Sequence, residues 1–392
     1  MLKKVAVVTA TRAEYGILRN VIDKIEKSAQ LELCLMVTGT HLVPEYGMTV
    51  GEIVQDGYTI AEKIDVLLAS DTPAAISKTM GLTMISFAEA FERQKPDCLV
   101  VLGDRYELVA VCSAAMNAGI PIAHISGGET TQGAIDESVR HCITKMSYLH
   151  FPACETYRRR IIQLGEEPER VYNFGDVGVE AVRLIPVMTK PELEQSIDFL
   201  LDKPYMSVTF HPVTLEAHEA ERQMQELLDA LDTFVDMKFV FTKANADAGG
   251  RKINEMIDAF VAGHDNCAAF ASLGIKRYIN LLRFCDGIIG NSSSGIVEAP
   301  AIGIPTVNIG NRQKGRLQAD SILNCAPDRE EIIRTVRESQ TKEFQERARN
   351  TVNPYGDGNT SEKIVQTITE YLYQDKICLE KKFYDVDFSI TY

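Results

Sequence analysis

Several features that would indicate a specialised class of protein are missing from this sequence. Its 392 residues contain no tryptophan and no internal repeat or low-complexity segment. No stretch approaches the roughly 20 uninterrupted apolar residues of a transmembrane helix. The composition therefore excludes collagen-like, disordered and disulfide-scaffold classes and indicates a globular protein.

The cysteines show none of the spacings that are typical of metal sites or redox pairs. There are nine, none of them in a C-x-x-C pattern, and most lie within apolar runs. We therefore expect reduced core cysteines, no metal site and no thiol chemistry. The N-terminal apolar run ends at Arg12 and Glu14 and is too short for a signal peptide. These observations predict a cytoplasmic protein.

Positive charge is scarce, with 41 Lys+Arg against 55 Asp+Glu and a net charge of -14. This balance argues against a surface for nucleic acid or for an anionic membrane. One loop stands out against it, because Arg312, Lys314 and Arg316 lie within five residues. A basic loop in an acidic protein indicates a phosphorylated small molecule as its partner.

Apolar β-type runs alternate with amphipathic segments along the chain. The predicted strands lie at 5–10, 31–39, 60–67, 98–103, 120–126, 148–153, 171–175, 205–211, 237–243, 266–272, 286–291 and 304–310. Continuous Val/Ile/Leu runs separated by helices predict parallel sheets that are covered on both faces. The chain is too long for one comfortable core. Residues 176–204, with three prolines around one predicted helix, form the best linker.

The predicted fold is therefore α/β, with two Rossmann-like, doubly wound parallel sheets facing a central cleft. The expected domains are residues 1–178 and 190–355. A last helix is predicted near 360–374, and another at 216–233. In the tail, Phe383, Tyr384 and Phe388 predict docking on the protein rather than a free segment.

Unusual residues follow the predicted strands of the first half, where such sheets bind ligands. Arg12 follows the first strand in TATRAEYG, which lacks the G-x-G-x-x-G fingerprint. Asp104 follows a buried strand in GDR. Glu129, Asp136 and the following basic residues lie in HISGGETTQGAIDESVRH (124–141). Carboxylates that share one cleft can divide acid and base roles, although helix capping is the alternative for each aspartate.

The second half carries a different pattern. His211 ends its first strand, and NSSSGIVE (291–298) places three serines at a helix start. Hydroxyls and free N–H groups there form a site suited to a diphosphate. Glu298, about two helical turns along, can accept hydrogen bonds from a ribose diol. A lone histidine before proline is also often structural.

In order and context, these motifs resemble the UDP-N-acetylglucosamine 2-epimerase family over nearly the whole chain. The resemblance includes NIGNRQKGR (308–316) and NPYGDGN (353–359). It implies a GT-B-like fold in which the C-terminal helix, residues 359–375, returns to the first domain. Gly-Asp-Arg in place of Gly-Asp-Thr, and Gly-Gly-Glu-Thr-Thr-Gln-Gly in place of a Glu-Ala-Gly-Leu-Arg segment, indicate the hydrolysing branch.

The resemblance implies conversion of UDP-N-acetylglucosamine and water to N-acetylmannosamine and UDP, for sialic acid biosynthesis. The alternative substrate is UDP-2,4-diacetamido-2,4,6-trideoxyglucose, for legionaminic acid. A GT-B glycosyltransferase and a non-catalytic nucleotide-sugar sensor are the alternatives of other classes. The resemblance requires no cofactor and implies a homo-dimer or homo-tetramer.

The resemblance also assigns roles to individual residues. The catalytic ones are Asp104, Glu129, Asp136 and His211. Tyr278 is expected to stack on uracil, and the Leu273 backbone to read its edge. The full set expected to bind the substrate or UDP is Arg12, Arg105, His141, Leu273, Tyr278, Ser292, Ser293, Glu298, Arg312, Gln313 and Arg316.

Overall fold

The computed structural model describes residues 2–68, 70, 72–132, 135–213, 219–244, 249–374, 377–387 and 389. Its strands form two six-stranded sheets, and within each sheet every pair of neighbouring strands is parallel. The first sheet has the order β3-β2-β1-β4-β5-β6 and the second β12-β11-β10-β7-β8-β9. The predicted fold class is therefore confirmed.

The strands of the first sheet are β1 (Lys3–Thr9), β2 (Leu31–Thr38), β3 (Ile60–Ile64), β4 (Cys98–Leu102), β5 (Ile122–Ile125) and β6 (Leu149–Phe151). Those of the second are β7 (Tyr205–Thr209), β8 (Lys238–Thr242), β9 (Cys267–Phe270), β10 (Ile288–Gly290), β11 (Thr306–Ile309) and β12 (Ile322–Cys325). In both sheets the strand order reverses beside the first strand, at β1/β4 and β7/β10. That is where doubly wound folds bind ligands.

The helices of the first part are α1 (Arg12–Glu26), α2 (Val50–Gln55), α3 (Pro73–Gln94), α4 (Tyr106–Asn117), α5 (Asp136–Met146), α6 (Glu155–Gln163), α7 (Val177–Leu184) and α8 (Lys190–Ile197). The remaining helices are α9 (Ala220–Leu231), α10 (Gly250–Ala262), α11 (Gly274–Phe284), α12 (Ser294–Ile302), α13 (Arg329–Ser339), α14 (Lys342–Arg349) and α15 (Ser361–Tyr373). None of the helices in the described part of the chain is long and apolar enough to cross a membrane.

Both faces of the first sheet are buried, as its continuous apolar strands predict. Along β1, Val5 and Val7 pack into one hydrophobic cluster, whereas Ala6 and Val8 pack into another on the opposite face. The period of two along a strand explains this division. All five residues of β4 and of β7 are buried.

Two predictions of secondary structure were wrong, and some elements were not predicted. Residues 171–175 form only an isolated bridge between Val171 and His150. The segment 176–204 contains two helices rather than one, because Asp176 caps α7 and Thr189 opens α8 with a capping box. Strand β12 and helix α14 were not predicted, and only two of the four β12 residues are buried. Of the helix predicted at 216–233, residues 216–218 lie outside the described residues.

The chain returns to the first half at its C-terminal end. Ile364 and Ile368 of α15 belong to the same cluster as Val5 of β1. Beyond α15, the Tyr384 N–H donates to the Gly165 carbonyl, and this part of the tail is docked as predicted. Phe388 lies outside the described residues. The proposed domain limits, 1–178 and 190–355, stay a prediction.

Candidate active site

A cleft of about 780 Å³ lies between the carboxyl ends of the two sheets. It is lined by residues that follow β1 of the first sheet and β7, β8, β9 and β10 of the second. The cleft contains seven of the predicted site residues: Arg12, His211, Leu273, Tyr278, Ser292, Ser293 and Glu298.

Arg12 lies at the start of α1, in a turn held by a capping box. The Glu14 carboxylate accepts hydrogen bonds from the Ala10 and Thr11 N–H groups, at 2.8 and 2.9 Å. The Arg12 guanidinium donates to the Lys243 carbonyl across the cleft, at 3.1 Å. Burial lowers the pKa of Arg12 to about 10, and it remains a cation at neutral pH. This cation is available to an anionic ligand.

The serine turn, residues 291–294, connects β10 to α12 on the opposite wall. The Asn291 side chain accepts from the His211 N–H at 2.7 Å and donates to the His211 carbonyl at 2.8 Å. The Tyr278 hydroxyl donates to Ser294 Oγ at 2.8 Å. The turn therefore positions both His211 and the ring of Tyr278. The Leu273 carbonyl already accepts a hydrogen bond from Arg277, at 2.6 Å.

The carboxylates predicted to be catalytic, Asp104, Glu129 and Asp136, are absent from the lining of this cleft. Asp104 and Glu129 contact one buried guanidinium, that of Arg140. Arg140 is hydrogen-bonded to the Asp104 carboxylate, donates to the Ser126 carbonyl at 2.5 Å and lies 3.5 Å from Glu129 Oε2. Asp136 begins α5 and is half-buried. The shared guanidinium cation offsets the repulsion between these two carboxylates.

Sequence reasoning missed a link between these carboxylates and the cleft. Asp176 is buried, and it accepts hydrogen bonds from the Gly178 N–H at 2.6 Å and from Ser126 Oγ at 3.4 Å. A Cβ on Gly178 would lie 2.7 Å from Glu298 Oε1, so only glycine lets that carboxylate approach. The only sequence signal for Asp176 was that of a helix cap.

Burial explains the pKa values of this pair. It raises the pKa of Asp176 to about 6, with a further rise from Glu129. It also raises the pKa of Glu298 to about 7, and the charge of Asp176 adds to that rise. Perturbed carboxyl groups in a cleft are typical of functional sites.

The other five predicted ligands lie away from this lining, within the described ranges. Arg105 Nε is 3.5 Å from Glu107 Oε2, and His141 Nε2 is 3.3 Å from Glu137 Oε1. Arg312 and Gln313 each donate to the Asn291 carbonyl. Arg316 forms an ion pair with Glu129 at 2.8 Å. Their roles in binding UDP stay predictions.

Comparison with known proteins assigns the family. The profile of the UDP-N-acetylglucosamine 2-epimerase family matches residues 23–369. The chain belongs to this family. An epimerase from Campylobacter jejuni, named GDP/UDP-N,N'-diacetylbacillosamine 2-epimerase (hydrolyzing), is 40% identical over 98% of this chain and 99% of its own length.

Two further similarities concern the branch and the fold. The UDP-N,N'-diacetylbacillosamine 2-epimerase (hydrolyzing) of Legionella pneumophila is 34% identical over 94% of this chain and 96% of its own. The chain therefore falls in the hydrolysing branch of the UDP-N-acetylglucosamine 2-epimerase family. A crystal structure of UDP-GlcNAc 2-epimerase from Neisseria meningitidis bound to UDP-GlcNAc has a TM-score of 0.79 and 21% identity, over 94% of this chain and 100% of that one. It supports the GT-B-like fold.

Proposed function

We propose that the protein is a hydrolysing 2-epimerase of UDP-2,4-diacetamido-2,4,6-trideoxyglucose, also called UDP-N,N'-diacetylbacillosamine. Its products are UDP and the free 2-epimeric sugar. The sequence motifs ranked UDP-N-acetylglucosamine first, but the names of the Campylobacter and Legionella relatives favour the diacetamido sugar. The observation that carries the proposal is one cleft with a serine-rich helix start on one wall and paired carboxylates beside the other.

The chemistry begins with the departure of UDP from C1. The C2 hydrogen is not acidic, because no carbonyl is adjacent to C2 in the ring. The developing charge on the diphosphate therefore needs donors, which the N–H groups at the start of α12, the Ser292 and Ser293 hydroxyls and the Arg12 cation supply. His211, whose backbone N–H donates to the Asn291 side chain, is assigned to the region of the leaving group in this proposal.

Two proton transfers complete the reaction. A carboxylate removes H2 as the C1–O bond breaks, which leaves a 2-acetamidoglycal and UDP. Water then adds to C1, and a proton is delivered to C2 on the opposite face of the ring. The reaction thus needs an acid and a base on different sides of the sugar. Asp104, Glu129 and Asp136 are assigned to these transfers.

UDP-N-acetylglucosamine is the second candidate substrate. The description of the family names this sugar nucleotide, and the Neisseria meningitidis epimerase was crystallised with it. The product would then be N-acetylmannosamine, a precursor for sialic acid. The two substrates differ at C4 and C6 of the sugar, and no residue is assigned to those positions.

The proposal includes a cytoplasmic, homo-dimeric or homo-tetrameric enzyme. All nine cysteines are free thiols in the structure, which agrees with a reducing compartment. A GT-B glycosyltransferase remains the rival of another class, since its fold would be the same.

A substrate panel tests the proposal. The enzyme is incubated in deuterated water with UDP-N,N'-diacetylbacillosamine, its GDP counterpart or UDP-N-acetylglucosamine, and without any acceptor. We expect NMR to show UDP and the free 2-epimer, carrying deuterium at C2, with the fastest turnover on the UDP-diacetamido sugar. Product with full protium at C2 would contradict elimination. A glycosyltransferase would form no epimer.

A further inference from the structure

The basic loop after β11 contacts both halves of the molecule. Near its start, Arg312 Nη1 and Gln313 Nε2 donate to the Asn291 carbonyl, at 3.1 and 2.8 Å. At its end, Arg316 Nη2 lies 2.8 Å from Glu129 Oε2. The loop therefore joins the serine turn of the second sheet to a carboxylate that follows β5 of the first.

The backbone of this loop is docked on the first half on both sides of its last arginine. The Gln132 N–H donates to the Lys314 carbonyl at 3.3 Å, and the Leu317 N–H donates to the Tyr157 hydroxyl at 3.1 Å. Gly315 has a φ of +87°, and a Cβ there would lie 2.8 Å from a methyl group of the first half. These contacts fix the backbone on both sides of Arg316 and so limit the orientations of its side chain.

The ion pair between Arg316 and Glu129 is almost completely buried. The two side chains are 8% and 3% exposed. The nearest approach of Arg140 is to the same oxygen of Glu129, at 3.5 Å. A buried carboxylate that loses a partner is strongly destabilised. Two guanidinium groups, one from each half of the molecule, therefore hold this carboxylate in one orientation.

We infer that Arg316 is a positioning residue for Glu129 and not a ligand of the diphosphate. This differs from the role that the family resemblance implies for it. A diphosphate ligand should face the cleft, but Arg316 is absent from its lining in the described part of the chain. The inference rests on the proposed function, because that function assigns proton transfer to Glu129.

The geometry also couples UDP to the chemical step. Arg312 and Gln313 hold the serine turn, where the diphosphate is expected to bind, and Arg316 holds Glu129 from the same short loop. The carboxylate therefore has its full set of partners only when this loop is seated between the halves. Loss of the guanidinium should affect turnover much more than affinity.

The test compares Arg316→Gln with Arg312→Gln, a matched charge removal in the same loop. UDP affinity is measured by calorimetry, and kcat and KM on the best substrate of the panel. For Arg316→Gln we expect kcat to fall about 100-fold, as for a misplaced catalytic group, with UDP affinity nearly unchanged. For Arg312→Gln, which perturbs the serine turn, we expect UDP affinity to fall at least about 10-fold.

A conservative variant sharpens the result. Arg316→Lys keeps the charge but loses the planar fork, and we expect a smaller loss of kcat with unchanged UDP affinity. If Arg316→Gln weakens UDP binding as much as Arg312→Gln does, Arg316 is a diphosphate ligand and the inference is wrong. Full kcat in Arg316→Gln would overturn it equally.

A thermal-unfolding cycle covers the case in which the single variants fold poorly. Arg316→Met should lower the melting temperature, and adding Glu129→Gln should restore part of the loss, because the buried carboxylate no longer needs its partner. Strictly additive melting temperatures would mean that the pair does not form in solution, and would overturn the inference.

Turnover separates a failure of this inference from a failure of the proposed function. No turnover by the unmodified enzyme would contradict the proposed function and, with it, the role of Arg316. Normal turnover in Arg316→Gln would contradict only the positioning role of Arg316.

Discussion

The two sheets share one strand order and differ in the side chains that surround their carboxyl ends. Buried charged residues are concentrated in the first half: Glu14, Glu107, Glu129, Arg140, Glu166, Arg170, Asp176 and Glu180. In the described part of the second half, Glu298 is buried and the Arg316 side chain, which is paired with Glu129 of the first half, is nearly so. Hydroxyls and amides take their place there, including Thr209, Thr242, Asn291 and Ser294.

The difference agrees with the roles that the proposed function assigns to the two halves. Proton transfer needs groups that change charge, and buried charges persist only when they are paired. A diphosphate can instead be held by hydroxyls and the N–H groups of a helix start, which need no buried cation. In the proposed function, one fold therefore serves two kinds of chemistry, and the side chains at the strand ends decide which.

Not every buried charge of the first half belongs to the site. The Glu166 carboxylate is 3.0 Å from His150, 2.6 Å from Lys145 and 2.8 Å from Lys381 of the C-terminal tail. Burial opposes ionisation, but the hydrogen bonds from His150 and the two lysines outweigh it and hold the pKa of Glu166 at about 2. This cluster fastens the tail to the first half.

The largest effect should come from a carboxylate of the first half. Asp104→Asn should lower kcat by about 10²–10⁴-fold and leave UDP affinity unchanged, because the proposed function assigns a proton transfer to Asp104 and no contact with the diphosphate. Steady-state kinetics and calorimetry measure the two quantities. Asp23→Asn, on the exposed part of α1, is the matched control. Normal turnover in Asp104→Asn would contradict the assignment of proton transfer to the first half.

The tail cluster should give the next largest effect. Lys381→Ala removes one charged partner of Glu166, so we expect the free energy of unfolding to fall by about 2 kcal/mol. Denaturant unfolding of the variant is compared with that of Lys382→Ala, the exposed neighbour. Equal stability of the two variants would mean that the ion pair contributes nothing. Turnover should change in neither variant.

The raised pKa of Glu298 leads us to expect that UDP binding depends on pH. Because its pKa is raised to about 7, the carboxylate is ionised above that pH. If it binds the ribose as predicted, it then accepts hydrogen bonds more strongly. UDP affinity should therefore rise roughly tenfold from pH 5.5 to 8.5, beyond the titration of UDP itself. Calorimetry across this range should show no such additional rise in Glu298→Gln.

A variant of Asp176 tests what sets the midpoint of this pH dependence of UDP affinity. The Asp176 charge contributes to the raised pKa of Glu298, so Asp176→Asn should move the midpoint of the UDP-affinity curve to lower pH. A midpoint that stays in place would show that burial alone sets this pKa.

The smallest effect should come from a single hydroxyl of the second half. Ser293 is exposed, lines the cleft and precedes α12. Its replacement by alanine should weaken UDP binding about fivefold, the value of one hydrogen bond, with a similar loss in kcat/KM. Ser77→Ala, on the exposed part of α3, serves as the control. Unchanged UDP affinity would mean that the phosphate site lies elsewhere.

Most of the fold was predictable because it depends on local patterns. The continuous apolar run of β4 and the helix 294–302 were read directly from residue type and period. Strand β12 was not predicted, because it is only half buried and its sequence therefore has a weak hydrophobic pattern. The segment 171–175 looked like a strand, but its apolar residues pack against the core without a full ladder.

By itself, the sequence determined the two doubly wound sheets, the serine turn, the carboxylates after β4 and β5, and the family. Each of these depends on residues that are neighbours in the chain. Only the tertiary structure decided the partners of the charged groups: Arg316 with Glu129, Asp176 with Ser126, and Lys381 with Glu166. These pairs join segments that are distant in sequence. The first pair joins the two halves, the second lies within the first half and the third joins that half to the tail. No local period or spacing encodes any of them.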